Sequence, residues 1–313
     1  MNRPLRGLIA AVHTPMHEDG SLNLAQVPPL INHMLQCGLS GLYVLGSTGE
    51  GVSLTSQERR QTAEAFVAAA DHRIAVAIQV GHNSLREARA LAAHAQQIGA
   101  DAFSAVAPSY FKLSSLESLA DCMAEVAGGA PKLPFYYYHI PVMTGLGIDM
   151  ARFLPLAAER IENLVGAKFT APQIDMLQAC VQLDDGRFDM LFGMDEMLLA
   201  GLAVGACGAV GTTYSFAAPL YHRVVNAFAS GDLATARRWQ ATAVQMIRTV
   251  QAFPNQVFKS VMKMVGVDCG PVRLPLVCLS DADQQRLRGE LESIGFFDWA
   301  LAAEGPRQST WPE

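Results

Sequence analysis

Short apolar runs that end in turn residues alternate along this chain with longer stretches of helical period. Eight such runs can be read, at 7–15 (GLIAAVHTP), 41–49 (GLYVLGSTG), 73–81 (RIAVAIQVG), 101–110 (DAFSAVAPSY), 133–141 (LPFYYYHIP), 164–170 (LVGAKFT), 189–196 (DMLFGMDE) and 206–214 (ACGAVGTTY). The stretches between them carry helix signals. TSQERRQTAEAFVAAAD opens with Thr55 or Ser56 as a cap and has Glu58 in its first turn, and NSLREARALAAHAQQIG ends on Gly99. The runs are apolar on both faces, as parallel strands covered by helices must be. Eight strand and helix units of this size predict an α/β fold, a TIM (β/α)8 barrel with chemistry on the loops after the strands' C-terminal ends; a doubly wound open sheet is the structural rival.

After the eighth unit the pattern is helical only, more than one closing barrel helix can absorb. A barrel over residues 1–230 is expected, followed by a C-terminal helical extension over 231–300 packed against it and a mobile tail over 301–313. No low-complexity linker separates barrel and extension, so they should move as one body.

Composition narrows the function. Half of the 313 residues are apolar, enough for a substantial core. The net charge of −6 arises from scattered groups with basic residues in the minority, which disfavours a nucleic-acid partner. The six cysteines form no CxxC pair, which suits buried thiols in a reducing compartment and an expected cytoplasmic location. The N-terminal apolar run stops at Val12, short of a signal peptide, and the longest apolar stretch, 198–211, is too short and too rich in glycine for a membrane span.

In a barrel, polar residues at strand C-termini converge on one site. Here they are GSTGE (46–50), YYYHIP (136–141), KFT (168–170), GMDE (193–196) and GTTY (211–214), with no cluster suited to a metal. Lys168 interrupts the apolar run LVGAKFTAP. A lysine held among apolar neighbours loses hydration in its charged form, and a neutral amine attacks carbonyls, so Schiff-base chemistry is indicated; the alternative is a strand-edge lysine with its head in water. Ser47 and Thr48 lie between two glycines just past a strand, where hydroxyls and backbone N–H groups can hold a carboxylate or phosphate, or simply cap a helix. Strand alternation sends Tyr136 and Tyr138 to one side and Tyr137 to the other, and Tyr138, nearest the C-terminal end, could pass protons or be aromatic core. His139 reads as structural. Asp195 and Glu196 could cap the next helix or bind a polyhydroxyl ligand.

Taken together, GLYVLGSTGEGVSL, FYYYHIP followed by TG, GAKFT, FGMDE and GAVGTTYSF resemble the N-acetylneuraminate lyase and dihydrodipicolinate synthase superfamily of class I pyruvate aldolases, in order over about residues 7–275. Within it, PFYYYHIP, LFGMDE and PVRLPL are most similar to the animal-type N-acetylneuraminate lyases. The resemblance implies a Schiff-base lyase that reversibly cleaves N-acetylneuraminate to N-acetylmannosamine and pyruvate, with no metal or organic cofactor. It implies that Lys168 forms the imine, Tyr138 shuttles the proton, and Ser47 and Thr48 hold the pyruvate carboxylate. Thr170, Gly193, Asp195, Glu196 and Thr212 would face the rest of the sugar acid. Tyr110 would cross between subunits to support the proton relay, in a dimer paired into a homotetramer.

Five residues after Tyr138, dihydrodipicolinate synthases carry an arginine for a second substrate carboxylate; the residue here is Met143, which cannot bind one. The chain departs from the lyase pattern at Leu45, where a glycine commonly precedes GSTGE, and at Thr212, where serine is usual. The alternatives are an aldolase or dehydratase of another 2-keto-3-deoxy sugar acid and a non-enzymatic keto-acid sensor on the same scaffold.

Overall fold

A computed structural model of the chain describes residues 5–254, 257–300 and 311–312. Its centre is a barrel of eight strands: β1 (Gly7–Ala11), β2 (Gly41–Val44), β3 (Ala75–Gln79), β4 (Ala102–Val106), β5 (Phe135–His139), β6 (Leu164–Phe169), β7 (Asp189–Phe192) and β8 (Gly208–Gly211). Each pairs in parallel with the next, and β8 closes on β1 with Ile9 opposite Val210. The open-sheet alternative is thereby excluded. Every apolar run contains a strand, but the runs extend past the ladder, because their last residues turn away to form the rim loops.

Alternation along the strands builds two cores. Leu42, Phe103, Tyr137, Phe169 and Phe192 belong to the large outer core shared with the helices, whereas Ile9, Tyr43, Tyr136, Tyr138, Leu191 and Val210 form a separate cluster inside the barrel. Lys168 lies between two outer-core residues, Ala167 and Phe169, so its side chain points into the lumen.

The expected caps are present. Thr55 and Glu58 form a reciprocal capping box at the start of the helix Ser56–Ala70, and Gly99, in the left-handed region at φ 80, follows the helix Leu85–Gln97. Beyond β8 the helix Tyr214–Ala229 completes the barrel's outer ring, and Leu233–Gln251, Val257–Met264, Asp281–Ser293 and Phe296–Ala300 follow. Gln240 ties this region to the barrel rim, accepting from the Leu199 N–H at 2.9 Å and donating to the Asp195 carbonyl at 3.3 Å. Most of the segment expected to be a mobile tail, 301–310 and 313, lies outside the described residues; Trp311 donates its indole N–H to the Ala206 carbonyl at 2.7 Å. Among the described residues no helix is long and apolar enough to cross a membrane.

Candidate active site

Residues Tyr138 and Lys168 are register partners on β5 and β6. Lys168 is only 4 % exposed, and its Nζ lies 4.0 Å from the centre of the Tyr43 ring and 4.2 Å from that of Tyr138. The two rings meet edge to face at 5.5 Å, and the Tyr43 hydroxyl is paired with Ser104 Oγ at 2.6 Å. Burial, followed by the neighbouring Tyr138, raises the Tyr43 phenol well above its ordinary pKa, so Tyr43 stays protonated. The amine is therefore packed against π faces, with a second phenol, Tyr138, on the adjacent strand. The solvated strand-edge alternative for Lys168 does not apply.

A cavity of about 280 Å³ opens above this pair, and Ser47, Thr48, Tyr138, Lys168, Thr170, Gly193, Asp195, Glu196 and Thr212 all line it. Met143 lines it as well, so an apolar side chain stands at the position discussed above. Tyr110 does not line it. That residue is 79 % exposed and packs edge to face on the equally exposed Phe111 at 5.1 Å, so within one chain it is not brought to the site.

The rim residues are held by polar contacts. Thr48 Oγ1 and Thr212 Oγ1 share a hydrogen bond of 2.6 Å, joining the loops after β2 and β8. Thr212 therefore supports the loop that carries Ser47 and Thr48 as well as facing the cavity. Asp195 accepts through Oδ2 from the Thr213 N–H at 2.9 Å and the Thr213 hydroxyl at 2.6 Å. The Thr213 proton being used there, the Tyr221 hydroxyl donates to Thr213 across 2.6 Å. Burial outweighs these bonds and raises the Asp195 pKa to about 6. The carboxylate needs the space left by Gly211, since any side chain there would run into it. Gly193 makes the same allowance for Thr170, whose buried hydroxyl has no hydrogen-bond partner among the described residues. His139, on the outer face against Tyr137 and Phe169, has its pKa lowered to about 4 by burial.

The sequence reading missed four features. Tyr43 looked like one more apolar strand position. Ile247, Gln251 and Phe258, from the C-terminal helices, also line the cavity. Glu50, the last residue of GSTGE, forms a buried ion pair with Lys259 at 2.8 Å, their side chains being 3 % and 5 % exposed. The contact is close, yet its alignment is not that of a hydrogen bond. Glu50 also accepts from the Arg273 N–H at 3.0 Å, and Lys259 donates to the Pro271 carbonyl at 2.6 Å. The available signal was a lysine in a helix whose other buried positions, Val257, Val261 and Met262, are apolar. His13, after β1, is the fourth, and it lines a second chamber with Glu50 and Lys259.

The departure at Leu45 acquires a physical meaning. Its φ of 65 lies in the left-handed region that favours glycine, so a leucine there carries strain of about 1–2 kcal/mol. Its side chain is buried in the outer core, which offsets that strain. Among the described residues no group of three or more histidine, cysteine, aspartate or glutamate side chains is placed to hold a metal ion.

Comparison with known proteins agrees with this geometry. The chain is 37 % identical over 309 residues to N-acetylneuraminate lyase of Mus musculus, covering 97 % of each. It is 41 % identical over 277 residues to that of Xenopus tropicalis, covering 87 % of this chain and 90 % of the other. Among solved structures, Proteus mirabilis N-acetylneuraminate lyase superposes with a TM-score of 0.90 at 36 % identity, over 94 % of this chain and 100 % of that one. The dihydrodipicolinate synthetase family matches residues 4–294, and the chain belongs to that family.

Proposed function

We propose that the protein is a class I lyase that reversibly cleaves N-acetylneuraminate to N-acetylmannosamine and pyruvate. The observation that carries this reading is the buried Lys168 amine between the Tyr43 and Tyr138 rings at the floor of a cavity with a polar rim. The relatives named above, all N-acetylneuraminate lyases, support the choice of substrate.

In this reading the neutral Lys168 amine attacks the C2 keto carbon of the open-chain sugar acid, and loss of water leaves a protonated imine. Tyr138 passes its proton to the substrate carboxylate and takes the proton of the C4 hydroxyl. The C3–C4 bonding pair flows into the imine, giving an enamine and releasing N-acetylmannosamine as the aldehyde. Protonation at C3 and hydrolysis of the imine free pyruvate and regenerate the amine, so no metal or organic cofactor is required. Ser47 and Thr48 hold the pyruvate carboxylate, while Thr170, Gly193, Asp195, Glu196 and Thr212 face the hydroxylated tail. Because Thr213 occupies Asp195 Oδ2, Glu196 is the less encumbered of the two carboxylates for the tail. Met143 offers a second carboxylate no counter-charge, which disfavours a dihydrodipicolinate synthase activity.

Tyr110 acts across a subunit boundary in this reading, in a homotetramer built from dimers. The exposure of Tyr110 and Phe111, 79 % and 82 %, supports it. Six unbonded cysteines suit a cytoplasmic enzyme. Borohydride reduction with pyruvate, followed by peptide mapping, tests the central step. An adduct on Lys168 is expected; no adduct, or one on another lysine, would overturn it.

A further inference from the structure

His13 is buried to 3 % exposure just past β1, and among the described residues neither of its ring nitrogens has a hydrogen-bond partner. An apolar residue would be cheaper at such a position, so an unpaired buried imidazole asks for a ligand. It lines a chamber of about 260 Å³, separate from the floor that carries Lys168 and Tyr138. Ser47, Thr48, Met143, Thr212 and Phe258 line both spaces, so the chamber adjoins the catalytic cavity and a branch of a substrate held over Lys168 can enter it.

The chamber's chemistry is mixed in a defined way. Met143, Phe258, Val272 and Leu276 give it apolar walls. Glu50 and Lys259 also line it, but they neutralise each other at 2.8 Å and offer no net charge to a ligand. Burial, with nearby Lys259 as a second cause, lowers the His13 pKa to about 3, so the ring is neutral, with one N–H donor and one acceptor nitrogen. The occupant that fits is a short neutral branch with an apolar stem and a hydroxyl at its end. A hydroxyl both donates and accepts, and so satisfies whichever ring nitrogen faces it; a methyl satisfies neither.

We infer that His13 is a specificity-determining residue, and that the chamber it lines takes the acylamino arm of the substrate, favouring a hydroxyacyl over a plain acyl arm. This deepens the lyase reading and rests on it. The test is pyruvate release from N-glycolylneuraminate and from N-acetylneuraminate, compared as kcat/KM. The native enzyme is expected to favour the glycolyl sugar by about three- to tenfold, the range of one neutral hydrogen bond. His13→Leu should bring the ratio to about one, and His13→Gln should restore part of it. A native ratio of one or below, or a ratio that His13→Leu leaves intact, would overturn the assignment. If His13→Leu fails to fold, the native ratio alone decides. Release from neither sugar would overturn the lyase reading and this inference with it, whereas turnover without the glycolyl preference would overturn the inference alone.

Discussion

Tyr138 and Lys168 stand opposite each other on adjacent strands, so the ladder that builds the barrel also places the proposed reacting pair. The rim loop carrying Ser47 and Thr48 has no ladder to hold it. Its shape depends on contacts from distant parts of the chain: Thr48 with Thr212, Glu50 with Lys259 and the Arg273 N–H, and Thr14 Oγ1 donating to the Gly49 carbonyl at 2.6 Å. The lumen is thus fixed by the backbone repeat and the rim by side chains on separate loops. Changes in the lumen should abolish chemistry and spare stability, while changes at the rim should alter stability, substrate preference and pH response.

The largest effect expected falls in the lumen. Lys168→Ala should reduce turnover on the order of 10⁴-fold or more and abolish the borohydride-trapped pyruvate adduct, with urea unfolding close to that of the native protein. A mutant that still formed the adduct would dissolve the distinction drawn above. Tyr138→Phe should cost about 10²- to 10⁴-fold in kcat while the adduct still forms, since proton transfer and imine formation are separate demands on the site.

At the rim, Lys259→Met leaves the Glu50 carboxylate buried without its counter-charge and should lower stability by about 3–5 kcal/mol in urea titration. The double variant Glu50→Gln with Lys259→Met should recover most of that loss, because a neutral amide can still accept from the Arg273 N–H. Equal losses in single and double variants would show that packing, rather than charge, secures the loop.

Two carboxylates at the rim should respond to pH in opposite directions. Asp195 has its pKa raised from 3.8 to about 6 by burial, so the folded protein binds its proton more tightly than the unfolded chain does. Stability then falls as pH rises through the window from 3.8 to about 6 and stays reduced above it. Asp195→Asn should remove this slope, worth roughly 3 kcal/mol. Glu58 is the reverse case: chiefly through its hydrogen bond with Arg273, its pKa falls from 4.5 to about 2. Its contribution is present above pH 4.5 and lost as pH falls toward 2. Arg273→Ala should lower stability by about 1 kcal/mol more at neutral pH than near pH 2, after allowance for solvent screening, the part that persists at low pH reflecting the lost Nε donation to the Gly20 carbonyl. Unfolding midpoints measured from pH 2 to 8 check both signs.

Legibility in the sequence follows the same division. All eight strands could be read because each is a short run of apolar residues bounded by turns. Lys168 could be singled out because a charge in such a run has few explanations. Tyr43 could not, since an aromatic inside a strand has the same local pattern whether it packs against a helix or against the Lys168 amine. Lys259 and His13 were silent for another reason: their partners and chamber are brought to them by loops far away along the chain. Leu45 stood out as a departure from the family pattern, but only the backbone angle of 65 explained why glycine would suit that position.

Local periodicity therefore pointed to the barrel, and one misplaced charge singled out Lys168, the proposed nucleophile, because a parallel ladder converts position along a strand directly into position in space. Tertiary structure alone decided how the rim is assembled, which of its carboxylates is occupied by Thr213, and that a neutral imidazole lines a second chamber beside the first. Those outcomes depend on loops meeting across the barrel mouth and on the burial that results, and neither is encoded in any single stretch of the chain.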